Sequence, residues 1–512
     1  MILNRTQNAV RNIIWGVVER ITLLLLPFIT RTVLIKVLGI DYLGLNTLFV
    51  SILQVLSVSE LGIGSAIVFS MYKPIADDDN NTLCALLNLY RKIYHIVGSA
   101  IFGLGLLLIP FLPHLVKGSI PSDVNLYSLY IIFLFNTVIS YFLFSYKTAL
   151  FSAFQRNDIQ SKRNSVISLF SNITQIILLC TVHNYYAYVF IIPVATILTN
   201  LINAYYAKKM YPDIVCKGTI SKNMKDGIKK RIIGLLSFKI YNVVFASTDA
   251  IIISAFLGLK SVALYNNYMV IINVFIGFLA IIDSSLTAGI GNKMVCESKE
   301  SNYIDFKNYM FAYGWVSSFF VVLLLSIFQN FITVWLGKEF LLPISTVVLL
   351  LFSFMLSSVI NTTVHTYRQA AGLWWEDRFR PVVLTITNLT LSLILIQYIG
   401  MNGVILATIF CTLFITIPWG GRVLFKNYFQ LPMKEYYCNS LLYAVTTIFT
   451  GFACYVICNV FITENSLISL ILKIIISAIT ANIIFWSIYM HKPEYKNMVL
   501  KFVKIKHKYL PF

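Results

Sequence analysis

The stretch of sequence that decides the fold is ERITLLLLPFITRTVLIKVLGIDYLGLNTLFVSILQVLSVSELGIG, residues 19–64. It places Glu19, Arg20 and Arg31 in a segment that is otherwise apolar enough to cross a membrane, and then turns at residues 38–41. Because helical residues are spaced by about 100°, the two arginines, eleven residues apart, share one face of one helix. An arginine at the centre of a lipid-facing helix costs about 2.5–3.5 kcal/mol, so this face is expected to contact protein, water or an anionic ligand.

The composition is that of an integral membrane protein. Hydrophobic residues make up 58% of the 512 positions and charged residues only 12%, with a mean hydropathy of +0.78. Such values exclude a water-soluble globular domain of this size. The 8 cysteines lie mostly in apolar segments without C-x-x-C spacing, which favours small buried side chains over a disulfide or metal framework. The first apolar run lacks a small-residue cleavage site and is interpreted as a retained signal anchor.

Apolar runs long enough to cross a hydrocarbon core of ~30 Å recur about fourteen times and predict an all-α membrane protein. The predicted spans are residues 12–37, 44–71, 88–113, 125–154, 164–182, 186–207, 232–257, 263–291, 308–336, 342–371, 380–399, 402–425, 438–461 and 466–490.

The distribution of lysine and arginine predicts the orientation. With the N-terminus inside, 31 of the 40 basic residues fall in cytoplasmic segments and only four, Lys36, Lys117, Lys260 and Lys338, fall outside. This asymmetry is a positive-inside signal that places both termini in the cytoplasm. The net charge of +19 is therefore interpreted as a signal of topology, and no nucleic-acid partner is expected.

An internal repeat appears when the chain is shifted by about 219 residues. Leu-Gly-Ile at 38–40 then aligns with Leu-Gly-Leu at 257–259, and Arg20 aligns with Lys239. A repeat of six helices is even, so it predicts two parallel halves related by an axis along the membrane normal. The predicted divisions are a six-helix lobe at 1–207, a cytoplasmic basic loop at 208–231, a second six-helix lobe at 232–425, two additional helices at 426–490 and a basic cytoplasmic tail at 491–512.

The segment RTVLIKVLGIDYLGL at 31–45, followed by a helix that ends in ELGIGSA at 60–66, resembles the start of Wzx-type polysaccharide repeat-unit flippases of the multidrug/oligosaccharidyl-lipid/polysaccharide (MOP) superfamily. The resemblance implies MATE-like lobes around a central cavity in the bacterial inner membrane. It also implies alternating-access transport of undecaprenyl-pyrophosphate-linked oligosaccharides for O-antigen, capsule or exopolysaccharide synthesis. A polysaccharide polymerase and a chain-length regulator are implied as partners, and the last two helices as a groove for the lipid tail.

A diphosphate crossing hydrocarbon needs a polar path with counter-charges. The candidate substrate-binding residues are the intramembrane cations Arg20, Arg31, Lys147 and Lys239. The alternative is a structural role, in which Arg20 pairs with Glu19 or Glu60, and Lys239 with Asp283.

Buried carboxylates can titrate within a membrane, so proton or sodium coupling is the only cofactor-like requirement we expect. The candidates are Glu60, Asp249 and Asp283, for which structural pairing is an equally strong alternative.

Enzymatic motifs are missing from the sequence. There is no G-x-x-x-x-G-K-[ST] phosphate loop, no H-E-x-x-H and no G-x-S-x-G elbow. The aspartates at 77–79 are interpreted as a helix cap rather than as metal ligands. We therefore predict a non-enzymatic flippase. The alternatives are a membrane-embedded polymerase or glycosyltransferase, a drug/cation antiporter and a lipid II flippase.

Overall fold

The protein is helical throughout the part of the chain that the structure, a computed structural model, describes. That part comprises residues 5–57, 63–118, 120–462, 464 and 466–500, without the side chains of residues 5–10, 13, 230, 231, 233–242, 244–246, 284, 285, 288 and 295. Its helices and the connections between them form two compact units that meet in sequence at Ala263 and Leu264. No strand occurs among the described residues, which confirms the predicted all-α class.

The helices of the first unit follow one another with short connections. They are α1 (Arg5–Val37), α2 (Ile40–Leu56), α3 (Ile63–Ala76), α4 (Asn80–Leu115), α5 (Leu126–Phe142), α6 (Ser145–Ala153), α7 (Asn157–Val182), α8 (Tyr185–Met210) and α9 (Lys222–Leu257).

The second unit begins within its first helix. Its helices are α10 (Leu259–Cys296), α11 (Lys299–Trp335), α12 (Ile344–Ala370), α13 (Arg380–Ile399), α14 (Met401–Phe429), α15 (Lys434–Phe461) and α16 (Leu467–Tyr489), with a 3₁₀ turn at Lys338–Phe340.

The membrane-spanning character predicted from hydropathy is confirmed. Among the described residues ten single helices are long and apolar enough to cross a membrane, and the bent pair α5–α6 adds an eleventh. Each of the fourteen predicted spans overlaps one helix or consecutive helices. Many large apolar side chains on the outer faces are exposed, and Leu107 and Ile468 are more than two-thirds exposed, as expected for helices whose solvent is lipid.

Two glycines form the turns that the sequence repeat aligns. Gly39, between α1 and α2, has φ 113° and ψ 172°, and Gly258, between α9 and α10, has φ 87° and ψ 174°. Residues with a Cβ rarely adopt a positive φ of this kind, so glycine is required at both turns. The same backbone shape at aligned positions supports the internal repeat.

The predicted cap at residues 77–79 is confirmed. The carboxylate of Asp79 accepts a hydrogen bond of 2.9 Å from the backbone nitrogen of Thr82, and so satisfies one of the free N–H groups at the start of α4. The hydrogen bonds from Thr82 hold the pKa of the Asp79 carboxyl below its ordinary value. Asp79 therefore stabilises the start of a helix.

The predicted basic loop at 208–231 is shorter than expected. Helix α8 continues to Met210 and α9 begins at Lys222, which leaves residues 211–221 as the connection. The early start of α9 has a local cause, because the Ser221 hydroxyl accepts a hydrogen bond from the backbone nitrogen of Met224. The basic residues at 222–231 therefore lie on the first turns of a helix.

Helices α5 and α6 form one bent path. They meet at an angle of 50°, and Phe144 between them adopts the left-handed conformation with φ 56°. A left-handed residue cannot continue an α-helix, so the hydrogen-bond ladder is interrupted at this point. The predicted span 125–154 is thus a broken helix.

The last helix, α16, is integrated into the second unit through polar contacts with α11. Asn330 of α11 donates a hydrogen bond of 3.1 Å to the Ser469 hydroxyl of α16, and Trp315 donates one of 3.0 Å to Asn482. Lys473 of α16 has a local partner, since its Nζ donates to Oδ1 of Asn459 at 3.1 Å.

Candidate functional site

A polar network connects α1 with α7. Oε1 of Glu19 accepts a hydrogen bond of 2.6 Å from Nδ2 of Asn164. Oδ1 of the same asparagine accepts one of 2.7 Å from Nη2 of Arg163. Arg163 is only 9% exposed, and the charge of Glu19 acts on it directly. The first unit therefore contains a buried cation and a half-buried acid that share one amide.

Arg163 is a buried cation that the sequence interpretation placed in a cytoplasmic segment. The predicted span begins at residue 164, which places Arg163 in the preceding connection, whereas in the structure α7 begins at Asn157. A possible signal was the position of Arg163 at the start of an apolar helical run, where an arginine can face the bundle as readily as water. We add Arg163 to the candidate site because it is a buried cation.

Arg20 lies on a different part of the α1 surface from this network. Its side chain is exposed, and within the described residues it has no hydrogen-bond or ion-pair partner. The neighbouring Glu19 is engaged with Asn164 instead, so the structure does not show the alternative pairing of Arg20 with Glu19. The guanidinium of Arg20 thus lies on an open surface of the first helix.

Arg31 occupies a more enclosed place further along α1. The residue is half-buried, its Nη2 atom has no exposed surface, and its charge interacts with the Tyr188 side chain on α8. One residue earlier, the Thr30 hydroxyl donates a hydrogen bond of 2.8 Å to Oδ1 of Asn172 on α7. Arg20 and Arg31 therefore lie on the same helix but in different surroundings.

Lys147 follows the break between α5 and α6. Its Nζ lies 5.0 Å from the centroid of the Phe144 ring, and it lies within electrostatic range of Lys208 and Cys216 at the end of α8 and in the following connection. Among the described contacts of Lys147 none is with the arginines of α1. The structure does not bring these cations together in one cluster.

Two candidates fall outside the described residues. Glu60 is in the segment 58–62 between α2 and α3, and the side chain of Lys239 is among those not described on α9. The predicted match of Arg20 with Lys239, and the alternative pairs of Arg20 with Glu60 and of Lys239 with Asp283, therefore stay predictions.

The described coupling candidates lie in different surroundings. Asp249 is buried on α9. Two residues before it, Ser247 donates a hydrogen bond of 3.2 Å to Gln54 of α2. Asp283, on α10, is half-buried. Its Oδ1 accepts hydrogen bonds from Tyr309 of α11 at 3.2 Å and from Thr366 of α12.

The environment of Asp283 is one of neutral donors from two neighbouring helices. Hydroxyl donors stabilise the charged form of a carboxylate without supplying a counter-charge. The described contacts of Asp283 are hydrogen bonds, and the side chain of Lys239 lies outside the described residues.

A buried ion cluster lies where α12 ends and α13 begins. Asp377 is fully buried and Arg368 and Arg380 are each 3% exposed. Nε of Arg368 lies 3.2 Å from Oδ2 of Asp377, and Nη2 of Arg380 lies 2.8 Å from the same oxygen. The cluster carries a net positive charge and fixes the turn between two spans. The sequence interpretation had treated both arginines only as cytoplasmic charges.

The chemistry of these residues is electrostatic. In the described part of the chain no group of three His, Cys, Asp or Glu side chains is arranged to hold a metal ion. The charged groups of the candidate site are the cations on α1 and α7 and the carboxylate on α10 that accepts hydrogen bonds from two hydroxyls. Such groups can bind an anion and respond to protons or cations.

Comparison with known proteins gives a family and a fold. The family described as "Polysaccharide biosynthesis protein" matches residues 9–287. No curated protein matches the chain as a whole in a sequence comparison.

Among solved structures, lipid II flippase MurJ in an inward closed conformation is similar with a TM-score of 0.65 and 16% identity, over 93% of this chain and 99% of that chain. An inward-facing multidrug resistance MATE family transporter of the MOP superfamily is similar with a TM-score of 0.56 and 13% identity, over 77% and 93% of the two chains. These likenesses show the fold of MOP-superfamily transporters, with the MATE-like architecture expected from the sequence.

Proposed function

The chain belongs to the polysaccharide biosynthesis protein family, and from this premise we propose that it is a flippase for an undecaprenyl-pyrophosphate-linked oligosaccharide. In this proposal the protein moves its substrate from the cytoplasmic to the outer leaflet of the bacterial inner membrane by alternating access. The observation that carries it is the family match over residues 9–287 in a chain that has a transporter fold.

The physical argument is one of charge. A diphosphate cannot enter hydrocarbon without counter-charges, while its prenyl chain can stay in lipid. Arg20 presents an exposed guanidinium on the first helix, and Arg31 lies further along the same helix. A guanidinium can grip a phosphate through two hydrogen bonds, which suits these residues to a diphosphate. Lys147 and Lys239 are proposed as additional cations of the path.

Energy coupling is proposed at the carboxylates. Asp283, held by the hydroxyls of Tyr309 and Thr366, is the first candidate for proton or sodium coupling. Glu60 and Asp249 are further candidates. Because its two hydrogen-bond donors come from α11 and α12, a change in the charge of Asp283 alters the contacts of α10 with both helices.

The cellular setting follows from the same family. We propose a multi-pass protein with both termini in the cytoplasm and with a polysaccharide polymerase and a chain-length regulator as partners. The polymer would be an O-antigen, a capsule or an exopolysaccharide. As a transporter the protein itself forms and breaks no covalent bond.

A reconstitution experiment tests this function. The purified protein is incorporated into liposomes with undecaprenyl-pyrophosphate trisaccharide that carries a fluorophore on the sugar, and an impermeant quencher is added under imposed proton or sodium gradients. We expect quenching to extend from the outer-leaflet label to nearly all of the label. Quenching that stops at the outer-leaflet fraction, as in protein-free liposomes, under every gradient would contradict the proposal.

Lipid II is the second candidate substrate, because the likeness to the lipid II flippase covers nearly the whole of both chains. The same assay with fluorophore-labelled lipid II separates the two. Movement of lipid II without movement of the trisaccharide lipid would favour this candidate. Formation of longer saccharides in the same vesicles would instead support the polymerase alternative.

A further inference from the structure

A cavity lies within the first unit, and the described part of its wall is polar but uncharged. It has a volume of about 290 Å³. We refer to it as the polar cavity, and it is lined by Ser57, Tyr94, Asn136, Thr137, Ser140, Tyr141 and Thr196. These side chains come from the end of α2 and from α4, α5 and α8. Among the described residues, four hydroxyls, one amide and two phenols form its wall, with no lysine, arginine, aspartate or glutamate.

The lining offers hydrogen bonds to a ligand. The Thr196 hydroxyl donates to Oδ1 of Asn136 at 2.7 Å, which fixes the amide with its nitrogen available as a donor. Nδ2 of Asn200 donates to Oγ of Ser140 at 3.4 Å, so the proton of that hydroxyl is also available for donation. Internal hydrogen bonds thus orient Asn136 and Ser140 as donors on neighbouring turns of α5.

Aromatic surface completes the wall. The rings of Tyr94 and Tyr141 pack against each other with centroids 5.4 Å apart, and the hydroxyl of Tyr94 accepts a hydrogen bond of 2.8 Å from Tyr90. Rigid tyrosines present apolar faces and polar edges at low entropic cost. This pairing of ring faces with hydroxyl and amide groups matches a ligand that has C–H faces and hydroxyl edges.

The described lining carries no charge, and this limits the class of ligand. A phosphate or carboxylate in this cavity would lose its hydration without gaining a counter-charge, which is costly. A neutral polyhydroxylated ring exchanges its water contacts for hydroxyl, amide and aromatic contacts. The volume is at the lower end of the ~300–1,000 Å³ typical of ligand sites, which is enough for one small ring.

We propose that the polar cavity binds one neutral pyranose ring. The inference deepens the proposed function and rests on it for the view that the ring is part of the transported saccharide. In this proposal the first unit binds two parts of the substrate at different places. The charged head group contacts the cations, and one sugar enters the polar cavity.

The test is direct binding of soluble sugars to the full-length protein in a detergent without a sugar head group. The probes are the methyl glycosides of glucose, galactose, rhamnose and N-acetylglucosamine, observed by saturation-transfer difference NMR. We expect a signal for at least one glycoside. With Asn136→Leu or Thr196→Val the affinity should fall about three- to ten-fold, as expected for one lost hydrogen bond.

Thr174→Val is the matched control. The Thr174 hydroxyl donates only to the Phe170 carbonyl of its own helix at an exposed position, so this variant should bind as the wild type does. Ser140→Ala is a milder second variant in case Asn136→Leu does not fold. Thermal unfolding of each variant shows whether the fold is retained.

The results test the sugar site in the polar cavity and the proposed transport function independently of each other. No signal with any of the four glycosides, or equal binding in folded cavity variants, overturns the inference even if the wild type moves the trisaccharide lipid. Glycoside binding that the cavity variants lose supports the site even if no lipid is moved, in which case the proposed function fails alone.

Discussion

Nδ2 of Asn164 on α7 lies 2.6 Å from Oε1 of Glu19 on α1. The same asparagine accepts a hydrogen bond from the buried Arg163, so one neutral side chain bridges a cation and an acid on two helices. This arrangement accommodates the acid of the first helix without using Arg20. Two adjacent ionisable residues, Glu19 and Arg20, therefore lie in different surroundings.

Replacement of Asn164 by leucine should destabilise the first unit. The change removes both hydrogen bonds of the bridge, and interhelical hydrogen bonds in membranes contribute about 0.6–1.7 kcal/mol. We expect a lower temperature of thermal unfolding for the purified protein, measured by intrinsic fluorescence. Thr174→Val on the same helix is the control. Equal unfolding temperatures for Asn164→Leu and the control would show that the bridge contributes nothing to stability.

Arg20 and Lys239 should be required for transport if both contact the diphosphate. Arg20→Ala removes a charge-assisted contact, so transport of the trisaccharide lipid should fall about ten-fold or more, whereas Arg20→Lys should retain part of it. Lys239→Arg should likewise be tolerated better than Lys239→Ala. Each variant must first be shown to insert at wild-type abundance. Normal export by both alanine variants would rule out a shared diphosphate site.

Asp283→Asn should remove the dependence of transport on the ion gradient. The amide carries no charge, so the hydroxyls of Tyr309 and Thr366 would no longer face an ionisable group. Rates in liposomes at several pH values and sodium gradients provide the measurement, with the exposed Glu300→Gln as control. Glu60→Gln is measured beside it. If both amide variants respond as the wild type at every pH and gradient, the carboxylates are structural.

Asp377→Asn should strongly destabilise the second unit. The variant leaves two buried guanidiniums without their shared counter-charge, and the loss of one partner of a buried ion cluster costs about 3–5 kcal/mol. The adjacent Glu376 is exposed, so Glu376→Gln should have little effect. Detergent-solubilised yield and thermal unfolding distinguish the two. Similar values for both variants would mean that the cluster is dispensable.

Thiol labelling should report the predicted topology. Cys296 and Cys438 are exposed thiols at the end of α10 and the start of α15. Cys296 lies in a predicted cytoplasmic connection, and Cys438 lies at the predicted cytoplasmic end of the span 438–461. An impermeant maleimide applied to intact cells should react with a cysteine introduced in place of Glu339 but not with these two. Ready labelling of Cys438 or of Cys216 in the 211–221 connection would contradict the orientation.

The helices were predictable because each apolar run indicates its own span, independently of the rest of the chain. Each span needs only a run of apolar residues, and the turns at Gly39 and Gly258 follow from glycine in matched sequence contexts. The cap at Asp79 was predictable for a similar reason, since a cap depends on residues that are adjacent in sequence. Local rules were enough for these features.

The polar interior was less predictable, because it depends on contacts between distant segments. Asn164 meets Glu19 across 145 positions of sequence. In the sequence, Arg163, Arg368 and Arg380 resemble the exposed cytoplasmic arginines that the positive-inside rule predicts. In the structure all three are buried. The sequence does not distinguish an arginine that faces water from one that pairs with a buried aspartate. For this reason the role of Asp377 as the partner of Arg368 and Arg380 was not predicted.

The break at Phe144 has a mechanical consequence. An intact helix resists bending because rotation breaks its backbone hydrogen bonds, whereas here the ladder is already interrupted between α5 and α6. Asn136 and Ser140 precede this joint and Lys147 follows it. A change in the 50° angle would therefore reshape the hydroxyl-lined wall and displace a cation in the same movement. The two halves of this bent span thus carry different side chains, with polar uncharged residues before the break and a cation after it.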